Sequence, residues 1–191
     1  RCGIMDQMAS VLGAIILLDC RSLVADLIAL PEELSIVILD SGIPRGLSQS
    51  AYNERRGQCE DGVARMQKRW PDIRALRDAT SRMLHDASDL LPERVAHRCR
   101  HVVTENERVL EAADALRDGD APRFGALMVQ SHESMRDDYE ISLPEIDRLV
   151  ERAMATEGCF GARLTGAGFG GAVVALVQTK CPQEFASAVL A

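Results

Sequence analysis

No apolar run in the 191-residue chain approaches the roughly 20 residues that a membrane helix needs; the longest, AIILL at 14–18 and AVVALV at 172–177, have strand length. No stretch gathers Lys and Arg among aromatics either. Twenty-two basic side chains stand against 29 acidic ones, for a net charge of -7, so the footprint of a nucleic-acid binder is absent. Six cysteines, at 2, 20, 59, 99, 159 and 181, never form a CxxC pair. That spacing suits neither a zinc site nor a disulfide framework and fits scattered thiols in a reducing compartment such as the cytoplasm. GxSxG, GxxxxGK(S/T) and a Ser/His/Asp order with supporting context are missing. No repeat period or low-complexity linker divides the chain.

What is present suffices for a globular core, with 47% hydrophobic residues. The chain opens at Arg1 inside a helical pattern and stops in another, EFASAVLA, with no stop signal, which predicts that both ends are cut. A missing signal peptide therefore says little about targeting. Ile4, Met5, Met8, Val11 and Leu12 recur at helical spacing and predict one inward face, with Asp6 on the other side. AIILLDC and LSIVILDSG read as buried strands separated by a polar turn around Pro31. Ser50 is placed to cap a helix from Ala51 to about Arg69, whose stripe of Tyr52, Cys59, Val63 and Met66 predicts that Tyr52 faces inward.

A longer helix runs from about Pro92 to Leu116 along Val95, Cys99, Val102, Val109, Ala113 and Leu116, ending at Gly119. Phe124, Leu127, Met128 and Met135 mark the next helix. SLPE at 142–145 reads as a capping box that opens one running to about Ala155 and stopping at Gly158. The order of strands and helices predicts an α+β layered domain, helices on an antiparallel or mixed sheet.

RLTGAGFGGAVVALV, residues 163–177, places Gly166, Gly168, Gly170 and Gly171 beside a strand. These positions take positive φ without a Cβ penalty, which suits a loop whose N–H groups turn toward an anion, or equally a bulge, a tight hairpin or a close backbone crossing. Asp6, in a first helical turn, is favoured by the helix dipole with or without chemistry. His97 and His101 have the spacing of metal ligands but lack the HExxH glutamate and read as a solvated face with Arg94, Glu105 and Arg108. His132, Asp137, Asp138 and Tyr139 suit a cation or a charged helix exit. Cys2 reads as packing, with no histidine nearby to activate it.

Four segments in register, RCGIMDQMAS (1–10), DSGIPRGLSQSAYNERRGQCE (40–60), PRFGALMVQSHESMRDDYEISLPEID (122–147) and GARLTGAGFGGAVVALV (161–177), resemble galactokinases within the GHMP kinase superfamily. The resemblance spans nearly the whole chain. It implies a GHMP kinase-like α+β fold in which residues 1–30 end the N-terminal domain and 31–191 form the C-terminal domain. It further implies an ATP-dependent kinase acting on the C1 hydroxyl of galactose or a related aldose, with ATP and Mg2+. Asp6 matches the catalytic aspartate, Gly3 a backbone contact to the sugar, and Tyr52 the tyrosine of the sugar pocket. Gly166, Gly168, Gly170 and Gly171 match the loop beside the nucleotide phosphates, and no metal ligand is assigned in this chain.

Three departures accompany the resemblance. The family's first motif, with sugar-binding carboxylates and a catalytic arginine, and its second, the Gly/Ser-rich phosphate loop that helps bind Mg2+, both precede Arg1. This predicts that the chain is a fragment, inactive as it stands, with the main Mg2+ ligands in the preceding half. The connection after MASVLG is shorter than is usual in the family, and Pro44 and Arg45 stand where galactokinases commonly carry an Arg-His pair. Another aldose 1-kinase, for arabinose or an amino sugar, a non-catalytic sugar sensor and a truncated product stay open as alternatives.

Overall fold

The computed structural model describes residues 4–44, 48–178 and 181–191. Helix α1 (Met5–Leu12) closes on Gly13, whose φ of 61° lets its N–H reach the Ala9 carbonyl. Strands β1 (Ile15–Leu18) and β2 (Ala25–Ile28) form an antiparallel hairpin. Strand β3 (Leu34–Asp40) belongs to a second sheet with β4 (Cys159–Thr165) and β5 (Ala172–Gln178), antiparallel throughout in the order β3-β5-β4. Between them lie α2 (Ser48–Met66), a 3-10 turn at Leu76–Asp78, α3 (Ser81–Asp86), α4 (Glu93–Arg117), α5 (Ala121–Asp137) and α6 (Pro144–Ala155); α7 (Pro182–Leu190) follows β5.

Period-2 burial along β3 sends Val37 and Leu39 inward and leaves Ile36 and Ile38 exposed, while Leu34, on the face of the latter two, is buried against Ala121, Met128 and Leu176. The main core joins Val37 and Leu39 to Leu164, Val173 and Val177 of the sheet, Ile146 and Val150 of α6, and Phe185 and Val189 of α7. Each such aliphatic side chain stabilises the fold by about 1.5–3 kcal/mol when fully buried. A second core, built from helices and the segments that join them, packs Met66, Leu76, Leu91, Val95, Cys99 and Val103. The hairpin rests on the C-terminal part of α4 through Ile15, Leu17 and Ile28 against Ala113 and Leu116.

The α+β reading and the helices α4, α5 and α6 match the sequence expectations, and α4 ends as read: Gly119 takes φ 72° while Asp120 N–H bonds the Ala115 carbonyl. Several local expectations are corrected. β1 pairs with the unforeseen β2, so AIILL and LSIVILD lie in different sheets. Strand β4 was also unforeseen. Ser50 lies inside α2, whose first residue is Ser48. Ser142 forms no capping box, because Leu143 is the N-cap of α6 and the Ser142 hydroxyl is donated to the Asp147 carboxylate. The apolar side of α1 stands partly open: Val11 is 81% exposed, Leu12 40% and Ile4 39%.

Candidate active site

Tyr52 projects from the first turns of α2 and is half-exposed, contrary to the inward position read from its stripe. It lines an open cavity of about 590 Å³ with Arg56, Cys59, Arg77, Asn106 and Tyr139. The ring of Tyr139 stacks on His101 with centroids 4.5 Å apart, and Cys59 Sγ lies 4.0 Å from its hydroxyl. Burial pushes the Tyr139 phenol and the Cys59 thiol up, so both stay protonated at neutral pH. The wall at Arg77 is pinned to the hairpin: Arg77 donates to both Asp19 carboxylate oxygens at 2.9 Å. Arg21 and Asp78 pair alongside at 2.9 Å. The Arg77 hydrogen bond, with backbone N–H groups of Ser22 and Arg21, holds the Asp19 carboxyl well below the usual range.

The glycine loop joins β4 to β5. Gly166, Gly168, Gly170 and Gly171 all have positive φ, from 81° to 121°, as their residue type allows, and so does Phe169 at 59°. Part of the loop serves close packing: a Cβ on Gly168 would stand 2.6 Å from the Ile141 carbonyl oxygen, and one on Gly170 2.9 Å from that of Ile43. Phe169 N–H bonds Ile141 O at 2.8 Å and Gly171 N–H bonds Ile43 O at 3.1 Å. Among the described residues, no hydrogen bond takes up the N–H groups of Ala167, Gly168 or Gly170. The close-crossing reading therefore holds at Gly168 and Gly170.

Asp6 lies in the first turn of α1; its side chain is not described. Gly3, Cys2 and Arg45 lie outside the described residues. Tyr52 and the loop are brought into one neighbourhood through Arg55 of α2, whose guanidinium lies 6.0 Å from the Phe169 ring centroid. Arg55 and the wholly buried Arg98 escaped the sequence reading. The only signal was position: Arg55 falls one helical turn after Tyr52, and Arg98 sits between the core residues Val95 and Cys99.

The histidine readings also change. His101 is buried, because Tyr139 and Ser134 of the α5 exit cover it, and does not lie on a solvated face. His132, Asp137, Asp138 and Tyr139 do not share a cation. His132 is buried with Nε2 3.2 Å from Asp147, Asp137 pairs with Arg136, and Asp138 pairs with Arg100. Among the described residues no group of three or more His, Cys, Asp or Glu side chains is placed to hold a metal ion.

Residues 112–190, which include β4, the glycine loop and β5, match the family described as GHMP kinases C terminal. Over its length the chain is similar to galactokinases. It is 48% identical over 188 residues to the galactokinase of Roseiflexus sp. (strain RS-1), covering 97% of this chain and 48% of that one. It is 46% identical over 194 residues to that of Chloroflexus aggregans (strain MD-66 / DSM 9485), covering 100% and 50%. The solved Lactococcus lactis galactokinase complexed with galactose superposes with a TM-score of 0.91 at 38% identity, over 99% of this chain and 50% of that one. The chain spans about half the length of the curated relatives it matches.

Proposed function

We propose that this chain forms the C-terminal half of a galactokinase, which phosphorylates the C1 hydroxyl of galactose. The observation that carries the reading is the match across 99% of the chain to a galactokinase complexed with galactose. In this reading residues 1–30 belong to the enzyme's N-terminal domain and 31–191 to its C-terminal domain. The hairpin of β1 and β2 supports that division, because among the described residues its strands pair only with each other; it meets the rest through the Arg77–Asp19 and Arg21–Asp78 pairs and through Ile15, Leu17 and Ile28 against α4.

Tyr52 lines the sugar pocket, and Gly3 offers its backbone to the sugar. Asp6 orients the C1 hydroxyl and takes its proton as the oxygen bonds to the γ-phosphorus of ATP, whose bond to the bridging oxygen breaks and releases ADP. ATP, when bound, supplies the phosphoryl group. The glycine loop fits phosphate oxygens, since the Ala167, Gly168 and Gly170 amides are unspent among the described residues. In this reading the main Mg2+ ligands come from the preceding half of the enzyme.

Galactose-dependent ADP release by the intact protein tests the reading, with arabinose and galactosamine as competing acceptors. Galactose is expected to be the best acceptor. Asp6→Asn should lower kcat by about 100-fold or more, while Tyr52→Ala should mainly raise the KM for galactose, by about tenfold. Absence of any sugar-dependent ADP release would remove the kinase assignment.

A further inference from the structure

Helix α2 carries Tyr52 to the cavity and, one turn later, carries Arg55 into the interior. Arg55 Nε donates to the Tyr139 carbonyl at 2.8 Å and Nη2 to the Glu140 carbonyl at 3.2 Å. Its guanidinium also lies beside the Phe169 ring of the glycine loop. Arg98 reaches the same turn from α4 with 0% of its surface exposed: Nε donates to Gln58 Oε1 at 3.0 Å, Nη1 to the Asp138 carbonyl and Nη2 to the Glu140 carboxylate. Two arginines from two helices therefore grip residues 138–140.

The grip continues into the loop. Ile141 follows the turn, its carbonyl accepts the Phe169 N–H, and its backbone fills the space where Gly168 has no Cβ. Glu140 and Phe169 both hold positive φ, 53° and 59°, although neither is glycine. Side chains visit that region at a cost, so the surrounding contacts must impose it. Both of these strained residues lie against the Arg55 guanidinium.

We propose that Arg55 is a positioning residue that ties the sugar-side helix to the glycine loop, setting the loop backbone through the 138–141 turn and the Phe169 ring. Its catalytic consequence rests on the kinase reading; the mechanical link does not. Arginine suits this role because one rigid planar fork donates to two carbonyls while its central carbon stands 6.0 Å over an aromatic ring centroid. A lysine keeps the charge but lacks the fixed fork.

The test compares Arg55→Lys and Phe169→Leu with the wild type in the intact protein, by amide hydrogen exchange and by steady-state kinetics. Arg55→Lys should speed exchange at the Phe169 and Gly171 amides about tenfold and leave the Val173, Ala175 and Val177 amides of β5 at wild-type rates. It should also raise the KM for ATP several-fold, although Arg55 sits on the helix of the sugar tyrosine. Phe169→Leu should reproduce part of both effects, and the double variant should be no worse than Arg55→Lys. Unchanged exchange in the loop, or equal acceleration in β5, overturns the link. Faster loop exchange with an unchanged KM for ATP overturns its catalytic role. A wild type without sugar-dependent ADP release overturns the kinase reading alone, and the exchange rates still decide the link.

Discussion

His101 lies with Nδ1 3.0 Å from the Ser134 hydroxyl and its ring against Tyr139. Burial disfavours its charged form, with Arg108 and Arg163 acting in the same direction and the Glu105 and Asp138 carboxylates opposing, so its pKa falls to about 4. His132 shifts the same way, burial again leading and Asp147 opposing. Both histidines titrate near 6.5 when the chain is unfolded. Between about pH 6.5 and 4 the unfolded chain therefore binds protons that the native state refuses, and stability falls as pH falls through that window. Urea unfolding at pH 7.5 and pH 5 should show the loss, and His101→Asn should reduce it. An unchanged pH dependence in that variant would assign the titration to other groups. Neither shift was legible in the sequence, where the i, i+4 spacing of His97 and His101 pointed to a polar face. The cover over His101 comes from residues more than 30 positions away.

At the scale of elements, α5 and β4 approach until their backbones touch. A Cβ on Gly125 would stand 2.1 Å from the Phe160 carbonyl oxygen, and one on Gly161 2.2 Å from that of Gly125. Neither obstacle is a flexible side-chain tip, so the elements must separate. Gly125→Ala is expected to cost about 3 kcal/mol. Gly57→Ala, in α2 with nothing within 4 Å of its Cβ, should stabilise by about 0.5–1 kcal/mol. Urea titrations of the two variants check this; equal midpoints would contradict the contact. The same approach explains why β4 was not legible: CFGARLT is interrupted by the glycine that α5 requires. Its Arg163 turns to Glu105 at 2.9 Å and Ser131 at 2.7 Å. Helices α4 and α6 were legible because each keeps its apolar stripe over several turns.

Over the whole molecule, apolar surface remains uncovered among the described residues. Val11 is 81% exposed, Leu27 66% and Ile38 70%, and β3 is an edge strand of its sheet. Exposed apolar patches and open edges favour association. The 191-residue chain by itself should therefore associate with rising concentration in light scattering, and Leu27→Lys with Ile38→Lys should reduce this. A monomer at every concentration would show that the surface is tolerated. The order of the four family-like segments, the long helices, the strand AVVALV and the positive φ of the glycine loop were determined by the sequence itself. Each depends on residues close together in the chain, on periodicity or on the missing Cβ of glycine. Only the tertiary structure decided that β1 and β3 lie in separate sheets, that His101 is buried, and that Arg55 reaches the loop beside Phe169. Those outcomes depend on contacts between residues distant in sequence, where packing and hydrogen-bond satisfaction override local pattern.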